Sequence, residues 1–378
     1  LRGKLEEGAT ATRGAKIAGH TLDDPFAFFS SAFYSFMQML GPLSQRILTV
    51  LQLTRMALVF TAISNGMCEA LLMAAYRQPR GDYLDNIDPK TLVAMAAVSI
   101  GLYGFGMSLN DIIDRRRDSR IAAYRPLPSG RIRLVTAHAI CVCLALLAGW
   151  GGAAYAHWTP RTGNLSLCFL FITGMLITFY DFAGKYLVAL GLLSLGMIRF
   201  LQAAIAAPIV PVLWHPLLLL NHVTILSAVA YHWEQKRPPL TRKHWLTVLG
   251  GLGLLDLGLI IAFGIRRGDK TLGGMLTALE VNASLLPAVL AVLAFVGIAV
   301  LIRRQNSTPA DAGQKLMLYG LLWLIVYDAA FVAGYVSWVA AGILLCLLPI
   351  AYWSVQLMRW WSKLVSVAQR PVFQRARN

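Results

Sequence analysis

The chain has 378 residues, 57% of them hydrophobic and only 14% charged, too few charges to cover the surface of a water-soluble protein of this length. A bilayer is therefore the expected solvent, with no length left over for a separate soluble domain. The net charge of +16, from 34 Lys and Arg against 18 Asp and Glu, gathers in short loops between apolar runs. It reads mostly as membrane topology, with the remainder a candidate for binding an anionic substrate or anionic lipid, and nucleic acid is excluded as a partner.

Residues 1–45 are expected to form a polar tail and an interfacial helix. Residues 1–25 lack periodicity and also lack the order of charged, apolar and cleavage-site regions that marks a removable signal peptide. Residues 26–40 are aromatic-rich but too short to span, which suits a helix lying at the interface. Within 46–360 ten stretches approach the ~20 residues needed to cross a hydrocarbon core. They run over 48–75, 91–110, 133–156, 165–181, 186–208, 211–231, 246–265, 283–302, 316–335 and 338–358. The predicted fold is all-α, a polytopic transmembrane helical bundle of nine or ten spans, closed by a basic tail over 361–378. Cys68, Cys141, Cys143, Cys168 and Cys346 lie inside apolar runs without metal-ligand spacing. They read as small buried hydrophobes, neither a disulfide framework nor a zinc site.

Alternate loops carry the cations: Arg115 to Arg133 after the second span, Lys236 to Lys243 after the sixth, Arg303, Arg304 and Lys315 after the eighth, and Arg359 to Arg377 in the tail. The positive-inside rule assigns these loops to the cytosol, with Arg77, Arg80, Arg161, Arg266, Arg267 and Lys270 as exceptions on the far side. The expected location is the inner (cytoplasmic) membrane, spanned many times.

At the cytosolic end of the second span the sequence reads GMSLNDIIDRRRDSR. Asn110, Asp114 and Asp118 recur every fourth residue, and each step of four turns about 40° past a full circle, so their oxygens form one stripe on a helix. Asp111 lies about 60° to the side of Asp114. Four hard oxygen donors at one helix end suit Mg²⁺, which takes carboxylates, water and substrate phosphate. A solvated helix end with interleaved Asp and Arg is the bland alternative, weakened because acids at a helix C-terminus oppose the helix dipole.

NDIIDRRRD followed by RPLPSGRI resembles the first aspartate motif of the UbiA-type intramembrane prenyltransferases, the superfamily of 4-hydroxybenzoate polyprenyltransferase. The resemblance implies that Asn110, Asp111, Asp114 and Asp118 hold Mg²⁺ on the diphosphate of a polyprenyl donor. YDFAGKYL, at the end of the fourth span, is similar to a family element between helices four and five and implies that Lys185 lies near that diphosphate. GLLSLGMIRFLQ resembles a glycine-rich fifth helix with a buried arginine, here Arg199, one turn from Gln202. LTRMALVFTAISNG resembles the opening helix, with Arg55 and Asn65 at its polar positions. The similarity covers about residues 45–265.

One departure stands out. The family's second aspartate motif starts just after a tyrosine at the end of the sixth span, and here that point reads AYHWEQKRPP. His232 follows Tyr231 where the first aspartate belongs, Glu234 is the nearby carboxylate, and Lys236 and Arg237 come next. A cationic pair there can neutralise a diphosphate directly.

Other ionisable residues at membrane depth are functional candidates by default. Arg199 either lines a cavity with Gln202 or pairs with Asp181. His222 and Asn221 either line the same cavity or pack with their hydrogen bonds satisfied. Glu69 and Asp256 fit either a cavity or helix–helix contacts, and Asp328 has no role legible in sequence. The resemblance implies transfer of a polyprenyl group from a polyprenyl diphosphate to an aromatic or other hydrophobic acceptor, with Asp114, Asp118 and Lys185 as catalytic residues. Arg125, Arg199, Gln202, Asn65, Arg55, His232, Lys236 and Arg237 would bind substrate. Two alternatives remain open: transfer of a phosphorylated sugar to a polyprenyl phosphate, and a non-catalytic subunit that binds lipid or a membrane-protein partner.

Overall fold

The computed structural model describes residues 42–77, 88–268 and 271–368; the expected polar tail, the interfacial helix at 26–40 and the last basic residues lie outside this range. The described residues are helical, without strands: α1 (Pro42–Leu53), α2 (Val59–Arg77), α3 (Pro89–Ile113), α4 (Arg115–Ile121), α5 (Leu134–Trp158), α6 (Gly163–Phe182), α7 (Val188–Ala206), α8 (Trp214–Trp233), α9 (Arg242–Arg267), α10 (Leu272–Ala278), α11 (Leu286–Gln305), α12 (Pro309–Tyr335), α13 (Trp338–Leu345) and α14 (Leu347–Ala368).

Among the described residues nine helices are long and apolar enough to cross a membrane. The predicted sixth span, α8, is as long but is not among them. Its sequence explains the difference. His215, Asn221, His222, Thr224 and Ser227 interrupt the apolar run, and His215, His222, Thr224 and Ser227 are buried. α8 packs against α7 and α12, so other helices, more than lipid, form its surroundings. A second difference is a break in the predicted first span. Arg55 adopts a left-handed conformation (φ 47°) and separates α1 from the helix that begins at Met56.

α2, α8 and α12 form the centre of the bundle, and α5, α6, α9 and α11 its periphery. The outer helices present large apolar side chains such as Leu146, Trp150, Phe171, Leu254 and Leu293 outward, which is favourable only beside acyl chains. In lipid, helices associate through close packing, which small residues permit. α3 and α5 meet in this way. A Cβ on Gly101 would stand 2.5 Å from the Ala148 backbone nitrogen, and one on Gly151 would stand 2.9 Å from the Ala94 carbonyl oxygen. Successive helices run up and down. The C-termini of α3, α6 and α8 and the beginning of α2 are therefore gathered at one end of the bundle.

Candidate functional site

That end holds the aspartate motif. α3 gives way to α4 at Asp114 without losing its helical ladder, since Asp114 N–H donates to the Asn110 carbonyl (2.9 Å) and Asp118 N–H to the Asp114 carbonyl (2.8 Å). The acidic stripe therefore survives the junction. Lys185 arrives from the Gly184–Tyr186 turn between α6 and α7, and its Nζ donates to Asp114 Oδ1 (2.8 Å) and Asn110 Oδ1 (3.1 Å).

Two arginines hold the other aspartates. Arg55 donates to Asp111 Oδ1 at 2.9 Å. Its left-handed backbone, costly for a residue with a Cβ, turns the chain between α1 and α2, and its carbonyl accepts the Tyr103 hydroxyl at 3.3 Å. Burial alone would weaken the Arg55 charge; the Asp111 carboxylate, Tyr103 and Asp118 together more than offset this and raise its pKa above the ordinary value. Arg125 bonds Asp118 and lies 3.8 Å from Asp111. Asp111 and Asp118 are both buried.

The RPLPSGRI loop that supplies Arg125 is itself anchored. Leu127 and Ile132 are buried against Leu53 and Ala137, Gly130 takes a positive φ of 74°, and Arg131 donates to Gln52 Oε1 (2.9 Å) and the Tyr124 carbonyl (2.6 Å). Gln52 in turn donates to Ser362 of α14 at 3.0 Å, tying the final helix to this end.

Deeper in the bundle, Arg199 donates to Gln202 Oε1 and Thr61 Oγ1, both at 3.3 Å, and Gln202 donates to the Ala62 carbonyl. The pair therefore joins α7 to α2, and Asp181 is not its hydrogen-bonding partner. Asp181, in the last turn of α6 and four residues before Lys185, is buried, and its Oδ2 has no hydrogen-bonding partner. Asn65 is 1% exposed and neither atom of its amide has a hydrogen-bonding partner.

The end of α8 is built differently. His232, Lys236 and Arg237, with Tyr231 and Pro238, line a cavity of about 450 Å³. Lys236 pairs with Glu234 at 2.9 Å, and the His232 ring meets Trp245 edge-on. No ion pair among the described residues joins this group to the aspartates. His222 and Asn221 do not share the Arg199 environment. His222 bonds the Gly320 carbonyl and the Tyr327 hydroxyl, and Asn221 donates to Asp256 at 2.9 Å. Sequence reasoning missed Tyr103, which lies outside every motif, and Thr61, which lies within the opening-helix segment but was not singled out there; both are recognisable only by their partners.

No protein-family model matches the sequence, and no curated protein matches it. A search of solved structures finds a digeranylgeranylglyceryl phosphate synthase studied in membranes, at 17% identity with a TM-score of 0.52. The match covers 77% of this chain and 99% of that one. The chain shares the fold of that synthase. At this identity the likeness is one of fold, and the chemistry of the site rests on the residues just described.

Asn110, Asp111, Asp114 and Asp118 offer only hard oxygens, the donors Mg²⁺ prefers. They do not converge into a closed cage: among the described residues, no three acidic groups of the motif come within ligand distance of one another. Mg²⁺ keeps several waters and is commonly held by one or two carboxylates together with substrate phosphate. The open set fits that mode.

Proposed function

We propose that the chain is an intramembrane prenyltransferase that moves a polyprenyl group from its diphosphate to a hydrophobic lipid precursor. The observation that carries this reading is the pairing of three aspartates with three cations, Arg55, Arg125 and Lys185, at one end of a membrane bundle. An acidic cluster alone repels a diphosphate. A cluster interleaved with cations can exchange a carboxylate partner for a phosphate oxygen, because guanidinium and ammonium groups bind both.

In this reading Asn110, Asp111, Asp114 and Asp118 would hold Mg²⁺, which when bound neutralises charge on the diphosphate leaving group. Lys185 and Arg125 stand at the motif and stabilise the same negative charge as it develops. The buried face of α2 and α7, with Asn65, Arg199 and Gln202, orients the acceptor away from water. His232, Lys236 and Arg237 contribute positive charge from the α8 end in place of a second aspartate pair. The neighbouring fold belongs to a synthase of a glyceryl phosphate lipid, so both an isoprenoid glyceryl phosphate and a phenolic compound are acceptors to test.

The experiment is donor binding to purified protein in detergent, with Mg²⁺ and with EDTA. Binding that requires Mg²⁺ and falls at least tenfold in Asp114→Asn is expected. Equal binding by that variant, or none by the wild type in either condition, refutes the proposal. The second result would favour the non-catalytic alternative.

A further inference from the structure

A second polar cluster lies far from the motif. Cys68 and Glu69 come from α2, His215 from the opposite end of α8 to His232, and Asp328 from α12, so the cluster joins the three central helices. Along α2, Glu69 lies on the order of 20 Å from Arg55 at 1.5 Å per residue. His215 Nδ1 is 2.6 Å from Glu69 Oε1 and its Nε2 is 2.7 Å from Asp328 Oδ1, while Cys68 Sγ lies 3.5 Å from the Asp328 carbonyl oxygen. All four residues are at most 1% exposed. Glu69 Oε2 and Asp328 Oδ2 are buried without any hydrogen-bonding partner. The surroundings are Leu71, Leu72, Val332 and the Phe331 ring, which meets His215 edge-on.

The buried carboxylate oxygens without partners are donors in search of a cation or a proton. A divalent ion bound by the Cys68 thiolate and the Asp328 carboxylate makes a neutral group, the thiol and imidazolium protons being released as it binds. The sulfur of Cys68, one nitrogen of His215 and one oxygen of Asp328 all lie within 4.8 Å of one another. A tetrahedral ion with bonds of about 2.0–2.3 Å needs donors about 3.4–3.8 Å apart, so Asp328 Oδ1 must withdraw from Nε2 by about 1 Å and the Cys68 sulfur must approach by up to about 1 Å. Nδ1–H of His215 then still donates to Glu69, the outer carboxylate that fixes the tautomer and orientation of a metal-bound imidazole. Sulfur and imidazole donors select zinc over magnesium.

We infer that Cys68, His215 and Asp328 supply three ligands to a buried Zn²⁺, oriented by Glu69, that staples α2, α8 and α12 together and leaves the fourth position to a water. The site is independent of the donor reading above, because it uses none of the same residues and takes a softer ion. The test is the metal content of full-length protein made without a polyhistidine tag, purified in detergent after growth with added zinc. About one zinc per chain is expected in the wild type and in Asp114→Asn. Cys68→Ser and His215→Gln should fall at least fivefold. Replacing the ion with Co²⁺ should add a sulfur-to-cobalt charge-transfer absorption that Cys68→Ser lacks. Background zinc in the wild type overturns the inference, as does a full equivalent retained by Cys68→Ser. If either variant fails to fold, the wild-type content and its cobalt spectrum decide.

Discussion

Asp111 illustrates how much of the candidate site depends on single contacts. Its carboxylate is buried and is held by Arg55 at 2.9 Å, with Arg125 at 3.8 Å. Removing Arg55 leaves an under-compensated buried charge, which costs more than the ion pair itself contributes. The Arg55 side chain is 40% exposed, so water moderates the effect. Arg55→Ala is expected to destabilise the protein toward the lower end of about 1–3 kcal/mol, and adding Asp111→Asn should restore part of that loss. Thermal unfolding of the two single variants and the double variant in detergent measures this; additive losses would show that the pair is not coupled. That Asn110, Asp114 and Lys185 come together could be anticipated, because the first two follow helical spacing and the third stands in a recognisable element. Arg55 could be marked as polar, but its partner could not. The pairing depends on a left-handed turn that an arginine codon does not announce.

At the scale of helices, the sequence showed where chain is apolar and not which neighbours it meets. Ten stretches were legible, and each is largely helical with the first broken at Arg55, yet α8 owes its polar residues to a central position no hydropathy pattern reports. The cluster around His215 was hidden for the same reason. Cys68 has no ligand spacing along the chain because its companions come from two other helices. Close packing offers a direct test. Gly101 and Gly149 lie on facing helices of the α3–α5 pair, yet a Cβ at Gly101 meets backbone and one at Gly149 meets open space. Gly101→Ala should therefore destabilise by about 1–3 kcal/mol through overpacking. Gly149→Ala should stabilise by up to about 1 kcal/mol, because alanine loses less backbone entropy in a helix. Opposite shifts in apparent Tm are expected from the same chemical change, and shifts of equal sign would contradict the packing described.

For the whole molecule, the distribution of charge and the arrangement of helices make one joint statement about orientation. Up-and-down topology places the motif, Lys185 and the α8 end together, and the same end carries Arg115, Arg116, Arg117 and Arg120. Positive loops are retained in the cytosol, so the motif should face the compartment in which a water-soluble diphosphate headgroup is made available. Ser119, between the motif and its loop, and Arg161, between α5 and α6, are both exposed and stand at opposite ends. Cys143, Cys168 and Cys346 are exposed among the apolar faces and would confuse thiol labelling, so they should first be replaced by alanine. In that background a membrane-impermeant maleimide should label Arg161→Cys in intact cells and leave Ser119→Cys unlabelled until the membrane is opened. Inverted vesicles should reverse the order. If Ser119→Cys reacts first in intact cells, the charge rule has misassigned this bundle, and the donor would have to be supplied from the opposite face of the membrane.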